Sequence, residues 1–342
     1  MDQGLVSIVI PSYNGVEHLR KCLPSVYKQK YKNIEVIIVD NNSKDTTLDF
    51  VSTHFPKAKL IQSKSNLGFA EANNVGYHAA KGKFILLLNN DTIVSPDFLT
   101  ILVKSLLTKK YLGAVQPKIF LIDKPTILDS VGAYLTASGL LYHFGVNRRN
   151  SAIYNKKRYI YSAKGACLLI KREALEAALL NGDPFDPEYF AYFEETDLCH
   201  RLWLAGYRVM FEPKAVILHK MGATSSKLQN SFIQFHSFKN RFNTYIKNLS
   251  VGNLLPILII HFIITEAYSI VALLRLNLGL FLAIQNALLW NVLNLKRTLI
   301  KRSFIQSNIR AVSDKSIWKF IYVNPRFSYY FNLESGLEFF KD

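Results

Sequence analysis

The sequence predicts an α/β fold built on a mainly parallel central sheet flanked by helices. Two observations carry that expectation. Short apolar runs rich in β-branched residues, V-S-I-V-I (6–10), I-E-V-I-I-V (34–39), A-K-L-I-Q (58–62) and F-I-L-L-L-N (84–89), alternate with helix-like segments. Continuous apolar runs between helices mark strands buried on both faces. Three of these runs also end in polar, turn-forming stretches: P-S-Y-N (11–14), D-N-N-S (40–43) and N-N-D-T (89–92). In such sheets ligands bind beyond the carboxyl ends of the strands, so those ends are where a site belongs.

The elements follow in order. Helices are expected over Val16–Lys30, Asp45–His54 and Phe69–Ala80, then from Pro96 with Ser95 as N-cap. Residues 113–170 read as short strands and loops. A helix over Arg172–Leu180 follows, then another over Leu198–Ala205 that stops at Gly206. R-V-M-F (208–211) and A-V-I-L-H (215–219) read as two strands, and Phe232–Leu249 as a helix. Leu254–Leu274 is nearly long enough to span a bilayer. His261, Thr265 and Ser269 recur along it at four-residue spacing, with Glu266 beside them. A glutamate at mid-bilayer is expensive, so this helix and Leu276–Leu293 are expected to lie in a membrane interface. The chain divides on this reading into a domain at 1–250 and a helical, apolar and basic extension at 251–342.

Charge and composition narrow the partners. The net charge is +17, which points to nucleic acid or an anionic membrane. Between Lys239 and Arg326 there are twelve Lys and Arg against two acids, in the most apolar part of the chain. Basic and apolar together favour a lipid surface over nucleic acid. Lys296, Arg297, Lys301 and Arg302 would meet the headgroups, with a second copy of the chain as the competing partner for the apolar faces. Cys22, Cys167 and Cys199 are far apart and form no disulfide framework, which fits a reducing compartment. The N-terminus reads as a first strand, not a signal peptide.

Single motifs leave alternatives open. Asp40 could accept hydrogen bonds from a uracil or thymine imide or from a ribose hydroxyl, or could merely close an Asx turn. N-L-G-F-A-E-A-N-N (66–74) sets Gly68 before a helix, where phosphate binds well, or is a plain loop glycine. It is not the G-x-G-x-x-G of dinucleotide-binding enzymes. Asp91 could hold a divalent ion, completed by His219, or His219 could be structural. In Y-F-A-Y-F-E-E-T-D-L-C-H-R (189–201), Asp197 is spaced to pair with Arg201. Glu194 and Glu195 are either helix-start acids or a general base whose pKa is tuned by its neighbours.

Taken together, V-S-I-V-I-P-S-Y-N, I-I-V-D-N-N-S, N-L-G-F-A-E-A-N-N-V-G, L-L-L-N-N-D-T, G-A-C-L-L-I-K-R-E, F-A-Y-F-E-E-T-D-L-C-H-R, V-I-L-H and H-S-F-K-N-R-F-N-T-Y resemble, in order over residues 5 to 250, a family 2 glycosyltransferase of the Rossmann-like GT-A fold, close to its rhamnosyltransferase-like branch. The resemblance implies inverting transfer from a nucleotide-sugar donor, dTDP-rhamnose or a UDP-sugar, to a glycan or polyprenyl-diphosphate-linked acceptor in cell-surface polysaccharide synthesis. Pro11, Tyr13, Asn14 and Asp40 would cradle base and ribose, with Asn66, Gly68, Asn73, Asn89 and Asn90 also on the donor. Asn89–Asp91 takes the place of the family's D-x-D, so Asp91 with His219 would hold Mn²⁺ or Mg²⁺. Glu195 matches the family's catalytic base. The protein would be cytoplasmic and peripheral on the inner face of the cytoplasmic membrane. The competing readings are an inactive sugar-nucleotide-binding scaffold and a basic nucleic-acid-binding protein.

Overall fold

The computed structural model describes residues 4–220, 222 and 230–325. Its strands are β1 (Val6–Ser12), β2 (Ile34–Asp40), β3 (Lys59–Gln62), β4 (Phe84–Leu88), β5 (Thr92–Val94), β6 (Leu112–Leu121), β7 (Lys124–Ser130), β8 (Ala133–Leu135), β9 (Leu141–His143), β10 (Arg158–Tyr159), β11 (Cys167–Lys171) and β12 (Arg208–His219). The main sheet runs β10-β12-β6-β11-β4-β1-β2-β3, with β5 on β12 and β7 on β6. Strands β3, β2, β1 and β4 are parallel, and β11 is antiparallel to both β4 and β6. Strand β6 and its parallel neighbour β12 therefore run the same way as β4. The carboxyl ends of β1, β2, β4 and β12 and the amino end of β11 share one edge of the sheet.

The apolar runs work as expected because both sheet faces are covered. Ile8, Ile10, Leu86, Leu88 and Leu169 sit in one core with Leu19 and Leu99. Their neighbours Val9, Ile85, Leu87, Leu168 and Ile170 face a second core with Leu198, Leu202 and Trp203. Period-two alternation thus serves two cores at once.

The helices are α1 (Val16–Tyr27), α2 (Thr47–His54), α3 (Gly68–Ala79), α4 (Phe98–Leu106), α5 (Arg172–Glu176), α6 (Glu194–Leu204), α7 (Asn230–Asn248), α8 (Val251–Leu274), α9 (Leu278–Leu293), α10 (Leu295–Phe304) and α11 (Asp314–Ile321). Three local expectations need correction. Asp97, not Ser95, occupies the N-cap position of α4. Helix α5 ends at Glu176, short of Leu180. The two strands expected over 208–219 are one, β12, with an irregularity between Glu212 and Val216. Pro213 lies in that irregularity and has no N–H to give a ladder.

The boundary expected at 250 is not a boundary in packing. Helices α8 and α9 build a small core of their own with Phe238 of α7. The chain then returns: Ile305, Ile309, Ile317 and Ile321 join the core that holds Trp203. The Ala311 N–H donates to the Leu204 carbonyl at 2.8 Å, and the Val323 N–H to that of Leu135 at 2.9 Å.

Helix α7 is unusual in which face it buries. Lys239, Asn240, Asn243, Thr244, Lys247 and Asn248 lie on its buried side at helical spacing. Lys247 is fully buried, 2.7 Å from Asp186 and 3.3 Å from Asp197. Asp197 also takes the Arg201 Nε–H at 3.0 Å, as the spacing predicts, and Asp186 takes Lys301 of α10 at 2.7 Å. Burial works against both carboxylates, but Lys247 with Lys301 and Arg201 outweighs it and holds both below the usual carboxylate range. Their contribution to stability is fully present above the ordinary value of about 4 and is lost as pH falls toward the lowered values. Lys247→Met leaves buried carboxylates short of a partner and is expected to cost about 3–5 kcal/mol at pH 7. Urea unfolding should show the gap to wild type narrowing between pH 7 and pH 3.

Candidate active site

The carboxyl ends of β1 and β2 are stitched together by their turn residues. The Asn41 N–H donates to the Ser12 carbonyl at 2.8 Å. Asn14, at φ 47°, accepts the Lys44 N–H on its side chain at 2.7 Å and gives its own N–H to Ser43 Oγ at 2.8 Å. Pro11 is half-buried in β1, and Tyr13, just past the end of β1, is 45% exposed. Fully buried Asp40 divides its carboxylate: Oδ2 accepts the Ser43 N–H at 3.1 Å, so the Asx-turn reading holds for that oxygen. Its Oδ1 has no hydrogen-bond partner among the described residues. Such an oxygen needs a donor, since an unmet buried acceptor costs about 1–3 kcal/mol.

The stretch after β4 is held just as tightly. Asn90 donates to Ser12 Oγ at 2.9 Å, closing β4 onto β1. The Asn89 N–H reaches the Ala166 carbonyl at 3.0 Å, while its Oδ1 is another buried oxygen without a partner among the described residues. Asp91 Oδ1 is a third, 3.4 Å from Nε2 of His219 at the end of β12. His219 Nδ1 sits 2.7 Å from Asp129 Oδ2, and the other Asp129 oxygen is 2.5 Å from Lys164 Nζ. Burial would raise the Asp129 carboxyl, but Lys164 and His219 hold it at about 2. Burial pulls the His219 imidazole down, yet Asp129 and Asp91 together leave it above its ordinary value.

Asp91 Oδ1 and His219 Nε2 face each other at 3.4 Å, an ion pair when the imidazole is protonated, and the same two atoms fit two ligands of one divalent ion. Asp129 on Nδ1 fixes the ring so that Nε2 points at Asp91, the usual support for a metal-binding imidazole. Among the described residues no third His, Cys, Asp or Glu joins them. The remaining positions of such an ion would be open to a phosphate ligand.

Glu195 lies beside the 164–166 turn, whose Lys164 pairs with Asp129. An ideal Cβ on Gly165 would lie 3.7 Å from the Glu195 carboxyl carbon. Burial raises the Glu195 carboxyl above its ordinary value, against backbone N–H groups and nearby Lys164. Burial and Glu195 push buried Glu194 well above the carboxylate range, and its Oε2 has no partner among the described residues. Glu195 is the more accessible of the two.

The backbone leading to Glu195 is strained. Phe190 adopts φ 58°, ψ −64°, with the Ala191 N–H on the Tyr189 carbonyl at 2.6 Å, a γ-turn of the rare positive-φ kind. Tyr192 and Phe193 follow at φ 69° and 71°. Such conformations cost about 1–3 kcal/mol each and persist only where the surroundings impose them. One restraint comes from α3, whose Phe69 and Ala70 N–H groups both donate to the Phe190 carbonyl, at 2.6 and 3.0 Å.

That contact corrects the expectation for 66–74. The first N–H groups of α3 are taken by Phe190 and are closed to phosphate. Gly68 is there for its φ of +76° and for clearance, because a Cβ would lie 2.5 Å from the Phe190 oxygen. Asn66 accepts the Gly68 N–H at 2.9 Å, and Asn73 donates back to the Phe69 carbonyl at 2.8 Å. These three residues shape the contact with the loop before Glu195.

Asp129, Lys164 and Asn240 escaped the sequence reading. Asp129 lies on β7, with no local pattern linking it to His219. Lys164 adjoins the G-A-C-L-L-I-K-R-E stretch, and Asn240 lies within H-S-F-K-N-R-F-N-T-Y, so position in those stretches was the only signal.

A family model, glycosyl transferase family 2, matches residues 7–177, half of the chain. The chain belongs to glycosyl transferase family 2. An uncharacterized protein of Sinorhizobium fredii, y4gI, is 29% identical over 234 residues, 64% of this chain and 25% of that one. The glycosyltransferase GlyG of Streptococcus pneumoniae is 33% identical over 98 residues, 28% of this chain and 33% of that one. The chondroitin synthase of Pasteurella multocida is 35% identical over 114 residues, 32% of this chain and 12% of that one. The matches thus span a third or less of these relatives. Among solved structures, residues 1–349 of S. aureus TarS in complex with UDP-GlcNAc superpose with a TM-score of 0.58 at 18% identity, over 83% of this chain and 80% of that one. The mannosyltransferase PcManGT of Pyrobaculum calidifontis, in complex with GDP-Man and Mn²⁺, gives 0.52 at 17% identity over 89% and 84%. The fold is the GT-A fold expected from the sequence.

Gly68→Ala tests the loop contact. It should displace the Phe190 turn and lower the thermal midpoint by several degrees, as about 1–3 kcal/mol of strain and overlap would. An unchanged midpoint would mean that the turn does not need the clearance.

Proposed function

We propose that the chain moves a sugar from a nucleoside-diphosphate donor to a hydroxyl of a glycan acceptor, with inversion at the anomeric carbon. The observation that carries this reading is that Glu195 and, through Asp129 and Lys164, the Asp91–His219 pair are tied to one short turn, 164–166, at the carboxyl edge of the sheet. Asp40 Oδ1 is suited to a uracil or thymine imide or a ribose hydroxyl, which favours dTDP-rhamnose or a UDP-sugar. Glu195 takes the proton of the acceptor hydroxyl as its oxygen attacks C1. The bond from C1 to the diphosphate breaks with its electron pair going to phosphate. Burial suits Glu195 to this role by raising its basicity. Mn²⁺ or Mg²⁺ held by Asp91 and His219 would neutralise charge on the leaving diphosphate.

The observation that favours a membrane setting is the direction of the polar stripe on α8. His261, Thr265 and Ser269 are buried against the protein. His261 Nδ1 lies 3.1 Å from the Ser138 carbonyl, and Gln285 of α9 donates to Ser269 Oγ at 2.9 Å and to the Glu266 carboxylate at 3.0 Å. Leu255, Ile259, Ile263, Ile270 and Leu274 are left exposed. Helix α8 is long and apolar enough to cross a bilayer, but its bonds to the 138 loop and α9 favour lying along a surface. The reading is a peripheral enzyme on the inner face of the cytoplasmic membrane, acting on a lipid-linked acceptor in cell-surface polysaccharide synthesis. The basic set needs correction: Lys301 is spent on Asp186 and Glu188, and Arg302 on the Leu249 and Ile246 carbonyls. Lys296 and the exposed Arg297, which also pairs with Glu188, remain for headgroups.

Three outcomes follow. Glu195→Gln should keep nucleotide binding and lose at least about 10²-fold in turnover, whereas a dead Glu194→Gln beside an active Glu195→Gln would move the base by one residue. Asp129→Asn should weaken Mn²⁺ binding about 10–100-fold, read by titrating the metal against nucleotide-dependent thermal stabilisation; unchanged binding would remove the metal from His219. Anionic vesicles should co-sediment the protein with partial loss at high salt, while indifference to vesicles would leave the apolar face to a second copy of the chain.

A further inference from the structure

We infer that Asn240 of α7 is a positioning residue for Glu195, a step that rests on Glu195 being the base. Asn240 is fully buried, and its side-chain amide nitrogen donates to three carbonyls, those of Tyr189 at 3.0 Å, Ala191 at 2.9 Å and Tyr192 at 2.6 Å. These carbonyls bracket Phe190 and run up to Phe193, the positive-φ stretch that ends at the base. Three carbonyl oxygens converging on one point repel one another, and only a donor without an acceptor face can hold them there. An amide nitrogen has two hydrogens and no acceptor role, so one hydrogen is shared between two of the three carbonyls. The orientation of the amide follows, because the flipped form would set Oδ1 against all three oxygens. Oδ1 itself has no partner among the described residues, so the carbonyl contacts are what fix the side chain.

Other α7 side chains hold the earlier part of the loop. Lys239 donates to the Glu188 carbonyl at 2.6 Å, and the Tyr189 hydroxyl meets Thr244 Oγ1 at 2.7 Å. The Asn240 contacts reach further along the loop, to the Tyr192 carbonyl, three residues before Glu195. The Phe193 carbonyl accepts the Asp197 N–H at 3.0 Å, the first helical bond after the loop. A change in the carbonyl directions at 189–192 therefore passes through Phe193 into the turn that carries Glu195. Asp40 and Asn14 lie on other elements, reached from the loop only indirectly, from the Phe190 carbonyl through the start of α3 and the Gly68 carbonyl to the Asn41 side chain.

Asn240→Asp keeps the shape but faces the three carbonyls with oxygen, and Asn240→Ala removes the contact. The assay is nucleoside diphosphate released by hydrolysis of the donor selected by thermal-shift screening, with UDP or dTDP and Mn²⁺ as the binding probe. Both variants should bind the nucleotide as wild type does and keep donor KM within about threefold, while kcat falls by about 10²-fold, the scale of a small misplacement at the reacting centre. In a Glu195→Gln background the same substitutions should cost no further turnover. Wild-type kcat in both variants, an equal further loss in the Glu195→Gln background, or loss of nucleotide binding in both would each overturn the assignment. Full activity of Glu195→Gln alone would instead remove the base reading on which it rests.

Discussion

The buried ammonium of Lys247 is the interaction on which the rest of this site depends. It lies between Asp186 and Asp197, and the segment between those two residues contains the strained turn and both Glu194 and Glu195. A charge taken wholly out of water is tolerated only with close partners, so the cluster admits few arrangements. It fixes both ends of a twelve-residue stretch against α7. Lys301 brings α10 to the same carboxylate of Asp186, and Arg201 anchors the other end within α6. The C-terminal helices are therefore part of how the candidate base is held, not an appendage to a finished domain.

Neighbouring acids acquire different characters from their surroundings. Asp197 is kept charged by Lys247 and Arg201 against burial. Asp129 is kept charged by Lys164 and His219. Glu195 has weaker opposition to burial, and its carboxyl is raised. Separating acids into charged supports and one basic, reachable carboxylate is how a site assigns proton-transfer roles. The unmet oxygens of Asp40, Asn89 and Asp91 mark the other half of the cleft, where hydrogen-bond donors or a cation are wanted.

Much of this was legible in the sequence because it is written locally. The apolar runs had to be strands buried on both faces, and their polar ends had to meet at one edge, which is where Asp40, Asp91 and His219 lie. The spacing of Asp197 and Arg201 announced their pair. The unreadable parts depend on contacts across the chain. Asp129 supports His219 from ninety residues away. Gly68 before a helix could be a phosphate-binding or a plain loop glycine, and only the approach of Phe190 shows that the helix start is already filled. The stripe on α8 was visible as a period of four, but whether it faced lipid or protein depended on Ser138 and Gln285. The return of 305–321 to the main core left no trace in a stretch whose composition is simply apolar and basic.

On the proposed mechanism Glu195 delivers an acceptor oxygen directly to the face of C1 opposite the diphosphate. The anomeric configuration of the first-formed product tests it most directly. Proton NMR during early donor hydrolysis, before mutarotation, should show the sugar released with the configuration opposite to that of the donor. Release with retained configuration would contradict a single displacement and the role given to Glu195.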